Sequence, residues 1–392
     1  MRRLQLQTDC VQLSASFISV LADIDLGSMV FNLLGPGELG MLARVCKAVQ
    51  LVVMYYRLET WSIRRTLRPW FPSLVEDFRS LMIATGSMIS GMLALKFMGR
   101  HEWSVNELDL YVQPEYAEQV INWLCLKAGY RFTDVTYVRD FERSLILQGN
   151  ANSDDRFHEY SDAHEVTFLR LEDDAGNVLQ KIKVVKAFHS SIALILGSHS
   201  TYLMNFITGV AAYSLFPKLT FIEYYGVGSV NEDTATTTDR LHYKALGFET
   251  IGPRVPATSL PDIVKNRHRY VGDKDTWLLW LDHPTIRKFS LFDETIVVNN
   301  WMHYIRNKWY PNSGVTHPVC RIHYRAVADI CLRFTYTIAV PFDEDVQAWI
   351  DYMRITEVRR MDRPTLTWLF RFFKRIRCRH PPPITHRNEW NL

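Results

Sequence analysis

The sequence predicts a mixed α/β (α+β) protein with a helical N-terminal cap, a core of one mixed sheet with flanking helices, and a mixed C-terminal region. Apolar residues recur at helical spacing near the N-terminus. After a break at Pro69 and Pro72, short aliphatic runs alternate with helical patterns, which is typical of a mixed sheet. We therefore expect three regions, namely residues 1–68, 69–260 and 261–392.

The N-terminal region is predicted to contain two or three short helices within residues 10–66. Residues 35–37 are Gly-Pro-Gly and form a turn between two of them. After this turn, apolar residues at spacings of three and four place one set of side chains on a single helix face. This set consists of Leu39, Leu42, Val45, Val49, Val52 and Val53.

Residues 33–39 and 42–47 resemble the F-box pattern, in which a helix ending in leucines precedes a P-x-x-L element and a V-C-K element. F-box modules are three-helix adaptors that dock on a Skp1-type protein. The resemblance therefore implies recruitment to a ubiquitin ligase, with Leu39, Leu42, Val45 and Val49 as the docking face. A helical cap that packs on the next domain explains the same spacing. An adaptor is expected to leave part of its apolar face exposed.

The core region is predicted from apolar runs and turn signals along residues 69–285. We expect a strand or loop at 81–84, helices at 88–98, 117–128 and 203–215, strands at 108–112, 132–138, 145–147 and 277–281, and a β-hairpin formed by 166–171 and 178–185. In the helix at 117–128, we expect Val120, Ile121, Leu124 and Leu126 to face inward. A further helix is expected at 343–353.

One segment of the core carries residues suited to binding a metal and a phosphate. Glu107 and Asp109 are separated by one residue on a predicted strand, so both side chains project from the same face. Carboxylates are the ligands that Mg²⁺ prefers. Gly86 and Ser87 form a turn ahead of a helix, where a hydroxyl and free backbone N–H groups can hold a phosphate.

The order of sequence blocks in residues 75–285 resembles the nucleotidyltransferase fold. The resemblance is closer to the nucleotidyltransferase-like proteins that are numerous in mushroom-forming fungi. The matching blocks are 90–92, 94–97, Trp103, 107–112, 199–201, 204–207, 215–217, 244–248, and 269–273 with Trp277. This resemblance implies nucleotide binding at Gly86, Ser87, Ser90 and Gly91, and Mg²⁺ binding at Glu107 and Asp109.

The sequence departs from this pattern at the residues that matter for chemistry. Met92 stands where the family has a second serine, and Glu107 stands where it has an aspartate. The strand expected to supply a third carboxylate, residues 181–186, carries lysines and no acid. Glu165 and Glu172 flank the preceding strand and are the possible substitutes.

These departures favour a non-catalytic binding or adaptor protein built on a degenerate nucleotidyltransferase-like fold. The alternative is a Mg²⁺-dependent nucleotidyltransferase that transfers a nucleoside monophosphate from a nucleoside triphosphate. It would use Ser87 or Ser90 together with Glu107 and Asp109.

Composition and charge limit the partners and the compartment. The chain has 392 residues, of which 47% are hydrophobic and 22% charged, so a disordered chain is excluded. Its net charge of +3 gives no argument for nucleic acid as a partner. Six scattered cysteines predict reduced thiols in an intracellular protein, cytoplasmic or nuclear. The most apolar stretch, residues 192–215, contains polar side chains, so we expect no membrane span.

The C-terminal tail, residues 354–380, combines many arginines with aromatic residues. We interpret it as a terminal amphipathic helix whose aromatic side chains dock on the core. Binding of single-stranded nucleic acid or of an anionic membrane surface is the alternative interpretation.

Overall fold

The chain is a mixed α/β protein, as predicted. A computed structural model describes residues 15–137, 163–228, 234–251, 260–264, 268–281, 296, 299–310, 315–327 and 334–339. These residues divide into two compact units, with the division between Ile63 and Arg64. The strand expected at 145–147, the helix expected at 343–353 and the basic tail lie outside the described residues.

The first unit is helical. Its helices are α1 (Ala15–Ala22), α2 (Ile24–Asn32), α3 (Pro36–Ala43) and α4 (Lys47–Thr60). The carboxylate of Asp23 accepts hydrogen bonds from the first backbone N–H groups of α2, which explains why a new helix begins there. Pro36 begins α3, as expected of a residue that has no N–H to donate.

Aromatic and aliphatic side chains form the interior of this helical unit. The hydroxyl of Tyr56 on α4 donates a hydrogen bond of 2.6 Å to the side chain of Asn32 on α2. The rings of Tyr56 and Phe31 lie 5.0 Å apart, so α2 and α4 are in direct contact. The buried side chains are Leu21, Phe31, Leu39, Val49, Val53, Tyr56 and Trp61.

The described helices of the second unit, which are interspersed with strands along the chain, are α5 (Ile63–Leu67), α6 (Val75–Thr85), α7 (Gly91–Gly99), α8 (Ala117–Leu126), α9 (Ser191–Leu196), α10 (Pro217–Phe221) and α11 (Thr234–Ala245). Its first strands are β1 (Met88–Ser90), β2 (Glu107–Val112), β3 (Arg131–Tyr137), β4 (Ala163–Glu172), β5 (Val178–Ala187), β6 (Asn205–Ile207) and β7 (Ala211–Ser214). The later strands are β8 (Tyr225–Val227), β9 (Glu249–Ile251), β10 (His268–Tyr270), β11 (Trp277–Trp280), β12 (Asn300–Tyr310), β13 (Val315–His323), β14 (Arg325–Val327) and β15 (Tyr336–Ile338).

An eight-stranded sheet organises this second unit, in the order β11-β7-β6-β1-β2-β5-β4-β3. Strands β2 and β5 run parallel, and the other neighbouring strands of this sheet run antiparallel. Because β11 pairs with β7, the sheet extends past residue 260.

The predicted strand at 108–112 is confirmed as part of β2. Its alternate residues Leu108, Leu110 and Val112 are fully buried. The predicted helix that follows is confirmed as α8, where Val120 and Leu124 are buried. The expectation for Leu126 is wrong, because this residue lies about half a turn away from the buried face and is 86% exposed.

The predicted hairpin is confirmed as β4 and β5. Its turn is held by the carboxylate of Asp173, which accepts hydrogen bonds from the backbone N–H groups of Ala175 and Asn177. Gly176 has a φ of 83° in this turn, a conformation that glycine adopts without strain.

Two helix or strand assignments in the core are wrong. Residues 203–215 form the antiparallel strands β6 and β7, not a helix. Both strands are buried on both faces, so their apolar run carries no period that separates strand from helix. Residues 81–84 belong to α6, and the strand lies further along at Met88–Ser90, where a helix was expected.

The buried Arg269 on β10 connects a three-stranded sheet, in the order β10-β12-β13, with the residues that follow β7. Arg269 forms an ion pair with Asp273 and donates a hydrogen bond of 2.7 Å to the backbone oxygen of Leu215. Its guanidinium lies 4.9 Å from the ring of Phe216 and 5.6 Å from that of Trp301. These contacts give the 269–273 block a structural role in the second unit.

Two expectations concern a membrane span and the state of the cysteines. Among the described helices, none is both long and apolar enough to cross a membrane. The thiols of Cys46 and Cys125 are free.

Replacement of Leu110 by alanine tests the packing of β2. Because Leu110 is fully buried at the centre of the sheet, we expect L110A to lower the free energy of unfolding by about 2–5 kcal/mol. Urea denaturation measures this change. The matched control is L126A, which alters an exposed leucine and should change the free energy by less than about 0.5 kcal/mol. Equal losses in both variants would contradict the assignment of the core.

Candidate functional site

Four of the predicted site residues, Ser90, Gly91, Glu107 and Asp109, lie where β1, α7, β2 and β5 come together. Ser90 on β1 lies opposite Asp109 on β2, and Asp109 in turn lies opposite Lys183 on β5. Glu107 lies opposite Lys181 in the same parallel register. The prediction that Glu107 and Asp109 share one face is confirmed, because the alternating residues of β2 are buried on the other face.

Lys183 closes the space next to both carboxylates. Its Nζ atom lies 2.5 Å from Oδ1 of Asp109 and 3.6 Å from Oε1 of Glu107. The side chains are 31% exposed for Lys183, 18% for Asp109 and 43% for Glu107, so the contact is only partly shielded from water. A lysine thus occupies the strand position from which a third carboxylate was expected.

The pKa of Lys183 reflects two opposing effects. Partial burial favours the neutral amine and by itself lowers the pKa of Lys183. The charges of Asp109 and Glu107, and their hydrogen bonds to the ammonium, outweigh this effect. The pKa of Lys183 therefore lies above its ordinary value of 10.5, and the ammonium stays charged at neutral pH.

These residues do not fit Mg²⁺. The ammonium of Lys183 lies where it would repel a divalent cation held by Glu107 and Asp109. The two possible substitute acids on β4 have other partners, because Glu165 lies 3.9 Å from Lys186 and Glu172 pairs with arginines. Within the described part of the chain, no cluster of three or more histidine, cysteine or acidic side chains is arranged to hold a metal ion.

The four predicted nucleotide-binding residues divide into two pairs. Gly86 ends α6, and Ser87 precedes the pair formed by Met88 and Tyr111, so both lie at the far end of β1 from Glu107. Ser90 and Gly91 form the turn from β1 into α7 and lie next to Asp109. The structure thus places only the second pair beside the carboxylates.

Both predicted phosphate-binding hydroxyls are engaged inside the protein. The hydroxyl of Ser87 shares a hydrogen bond of 2.7 Å with that of Thr85, and both are buried. The hydroxyl of Ser90 is fully buried and donates a 2.7 Å hydrogen bond to the backbone oxygen of Asn205. Neither hydroxyl is directed at an external ligand.

Gly91 allows the carboxylate of Asp109 to reach the start of α7. Its φ is 66°, and a Cβ atom at this position would collide with Oδ2 of Asp109. The start of a helix is electropositive and favours an anion. Asp109 therefore occupies the place where a bound phosphate was expected, while Lys183 occupies the place expected for a cation.

Other blocks of the resemblance serve mainly in packing. Trp103 stacks on His101 with ring centroids 4.1 Å apart, and both rings contact Phe248. Burial, together with the charge of Arg100, lowers the pKa of His101 to about 4, so this ring is neutral at physiological pH.

The predicted docking residues of the helical unit do not share one environment. Leu39 and Val49 are fully buried in the interior of the unit, Leu42 is half-buried, and Val45 is exposed. Leu39 and Val49 therefore serve the core of the unit and present no surface for docking. The expectation that these residues form one helix face is wrong, because Leu39 and Leu42 lie on α3, Val49 lies on α4, and Val45 lies between the two helices.

The exposed apolar residues of α2 and α4 were missed by the sequence analysis. The α2 stripe consists of Leu26, Met29, Val30 and Leu33, and the α4 stripe consists of Leu51, Met54, Tyr55 and Leu58. Both sets follow the helical spacing i, i+3, i+4, i+7. This signal was present in the sequence, because the outer face of α4 is as periodic as its buried face.

Comparisons with known proteins add no further evidence on this site. A scan against models of protein families, a search of curated proteins and a search of solved structures each found no match.

Substitution of Gly91 tests the close approach of Asp109 to α7. We expect G91A to lower the free energy of unfolding by at least about 1 kcal/mol more than G176A, measured by urea denaturation. Both glycines have positive φ, but a Cβ at Gly176 meets open space. The comparison therefore separates the collision with Asp109 from backbone strain. Equal losses in the two variants would contradict this contact.

Replacement of Lys183 by methionine tests its ion pairs. We expect K183M to lower the free energy of unfolding by about 1 kcal/mol at pH 7, a surface-like magnitude because the charges are partly exposed. The control K127M removes a lysine whose exposed partner is Asp77 and should cost less than about 0.5 kcal/mol.

The pH dependence of this loss follows from the pKa of Lys183. Because the pKa is raised on folding, the stabilisation by Lys183 is fully present below pH 10.5 and is lost as the pH rises through the higher folded value. The difference between wild type and K183M should thus be constant from neutral pH up to the approach to pH 10.5 and shrink above it. A difference that shrinks well below that pH would refute the ion pairs.

Proposed function

We propose that the chain is a non-catalytic binding or adaptor protein built on a degenerate nucleotidyltransferase-like unit. The ion contact of Lys183 with Asp109 and Glu107 is the observation that carries this proposal. Strand β1, the turn at Gly91, helix α7 and the acid-bearing strand β2 follow the order that the resemblance predicts, and Asp109 and Lys183 stand where it predicts ligands.

Nucleotidyl transfer requires bound metal ions and bound phosphates, and this arrangement of charges opposes the binding of both. Metal ions must bridge carboxylates and phosphate oxygens and neutralise the charge that develops in transfer. A lysine at the carboxylate pair neutralises the acids without leaving coordination sites open. Asp109 at the start of α7 also places a negative charge where phosphates would bind.

The helical unit provides the binding role in this proposal. Its interior is closed by aromatic and aliphatic side chains, yet two further apolar stripes remain exposed on α2 and α4. Exposed apolar surface beyond a few hundred Å² is typical of protein interaction sites. The F-box resemblance implies a Skp1-type protein as a partner and recruitment to a ubiquitin ligase as the purpose.

A Mg²⁺-dependent nucleotidyltransferase remains the second candidate, because Glu107 and Asp109 share one face of β2. In that function, Lys183 would have to leave both carboxylates when a metal arrives. The two candidates therefore differ in whether divalent cations bind the wild-type chain at this position.

Thermal unfolding with Mn²⁺ as the probe distinguishes the candidates. We expect wild-type protein to show no increase in Tm with Mn²⁺, whereas K183D, which supplies a third carboxylate, gains stability. An ion at about 100 times its dissociation constant adds about 2.7 kcal/mol to the free energy of unfolding, so the shift is readily measured.

The control is K127D, which places an acid next to Asp77 on the surface and should not respond to Mn²⁺. Stabilisation of wild type to the same extent as K183D would contradict the proposal. So would Mg²⁺-dependent incorporation of nucleoside monophosphate by the wild-type chain that is abolished in D109N.

A further inference from the structure

Helix α4 is apolar on two opposite faces. Val49, Val53 and Tyr56 are buried within the helical unit, while the α4 stripe lies on the opposite side of the helix and is exposed. A surface helix of a globular protein normally carries polar residues on its outer face. The outer face of α4 is therefore suited to contact with another protein surface.

Helix α2 repeats this arrangement. Phe31 is buried against Tyr56 of α4, and the α2 stripe is exposed away from that contact. Leu33 is the most exposed member of the α2 stripe, at 85%. Because each stripe points away from the interior that α2 and α4 share, the two stripes face different directions.

The charges near the two stripes have opposite sign. Residues 15–43, which include α1 to α3, carry the acids Asp23, Asp25 and Glu38 and no lysine or arginine. Helix α4 begins with Lys47, three residues after Arg44, and contains Arg57, with Glu59 as its one acidic residue. The α2 stripe is thus flanked by negative charge and the α4 stripe by positive charge, which favours contact between them.

The exposed area suits a transient contact. Each stripe exposes on the order of 400 Å², the size of the largest apolar patch on a typical monomer, and a contact between one stripe of each kind covers about 800 Å² in total. A contact of this apolar area with a polar rim lies at the low end of specific protein interfaces, so micromolar affinity is expected.

We propose that the α2 stripe of one chain docks on the α4 stripe of a second copy of the same chain. The proposal deepens the protein-binding role proposed above for the helical unit. Because the two stripes are different surfaces, the contact is head-to-tail. An oligomer therefore has a free α2 stripe at one end and a free α4 stripe at the other. The full chain therefore forms short linear oligomers whose size grows with concentration.

Sedimentation velocity of full-length variants tests this directly. Wild type should exceed the monomer mass at concentrations of about 100 μM, and L33E and Y55E, each blocking one stripe, should be monomeric with a dissociation constant raised at least about 10-fold. An equimolar mixture of L33E and Y55E should form a heterodimer and nothing larger, because one intact stripe of each kind remains. This complementation also shows that both variants are folded.

Controls outside the helical unit and at its charges complete the experiment. L126E alters a leucine with the same exposure as Leu33 and should associate like wild type. D25K and K47E should each weaken association, and their mixture should associate more strongly than D25K alone.

Wild type that remains monomeric at about 100 μM would overturn the proposal and leave the stripes to another protein, such as a Skp1-type partner. A mixture of L33E and Y55E that remains monomeric would overturn it as well. Neither result changes the outcome expected of the Mn²⁺ experiment on Lys183. Failure of the self-association proposal can therefore be distinguished from failure of the proposed non-catalytic function.

Discussion

The contact between Asp109 and Lys183 connects three parts of the second unit. Asp109 lies on β2, faces the start of α7 and lies opposite Lys183 on β5, the strand that runs parallel to β2. The geometry depends on Gly91, because any side chain there would displace the carboxylate. Asp109 and Lys183 thus take the places where the resemblance predicts a phosphate and a metal ion. The proposed loss of catalysis follows from this one arrangement.

The polar groups near Asp109 and the exposed apolar side chains of the helical unit both favour a binding protein as the proposed function. In the second unit, both predicted phosphate-binding hydroxyls are engaged within the chain, that of Ser87 by Thr85 and that of Ser90 by the backbone of Asn205. In the helical unit, the apolar side chains of the α2 stripe and the α4 stripe are exposed to solvent. The exposed apolar side chains of α2 and α4 suit the protein-binding role proposed for the helical unit.

Local patterns in the sequence predicted the fold where one face of an element is buried. The alternation of β2 and the Asp-Gly-Asn turn between β4 and β5 are examples, since each depends on neighbouring residues only. Strands β6 and β7 were mistaken for a helix because they are buried on both faces and show no alternation. The partnership of Lys183 with Asp109 required the parallel register of strands about 70 residues apart, which a local pattern does not reveal.

In the helical unit, the sequence showed which residues are apolar but not which of them are buried. Periodicity placed Leu39 and Val49 on one helix face, but the chain turns between α3 and α4, so these buried residues lie on two helices. Periodicity also does not tell which of the two apolar faces of α4 is buried. On α4 that decision is made by Tyr56, whose hydroxyl binds Asn32 of α2 and turns this side of the helix inward.

A crystal of the wild-type protein soaked with Mn²⁺ and a nucleoside triphosphate tests the central claim most directly. The account predicts no anomalous density between Glu107 and Asp109 and an unchanged contact between Lys183 and Asp109. A manganese peak coordinated by both carboxylates, with Lys183 displaced, would contradict it.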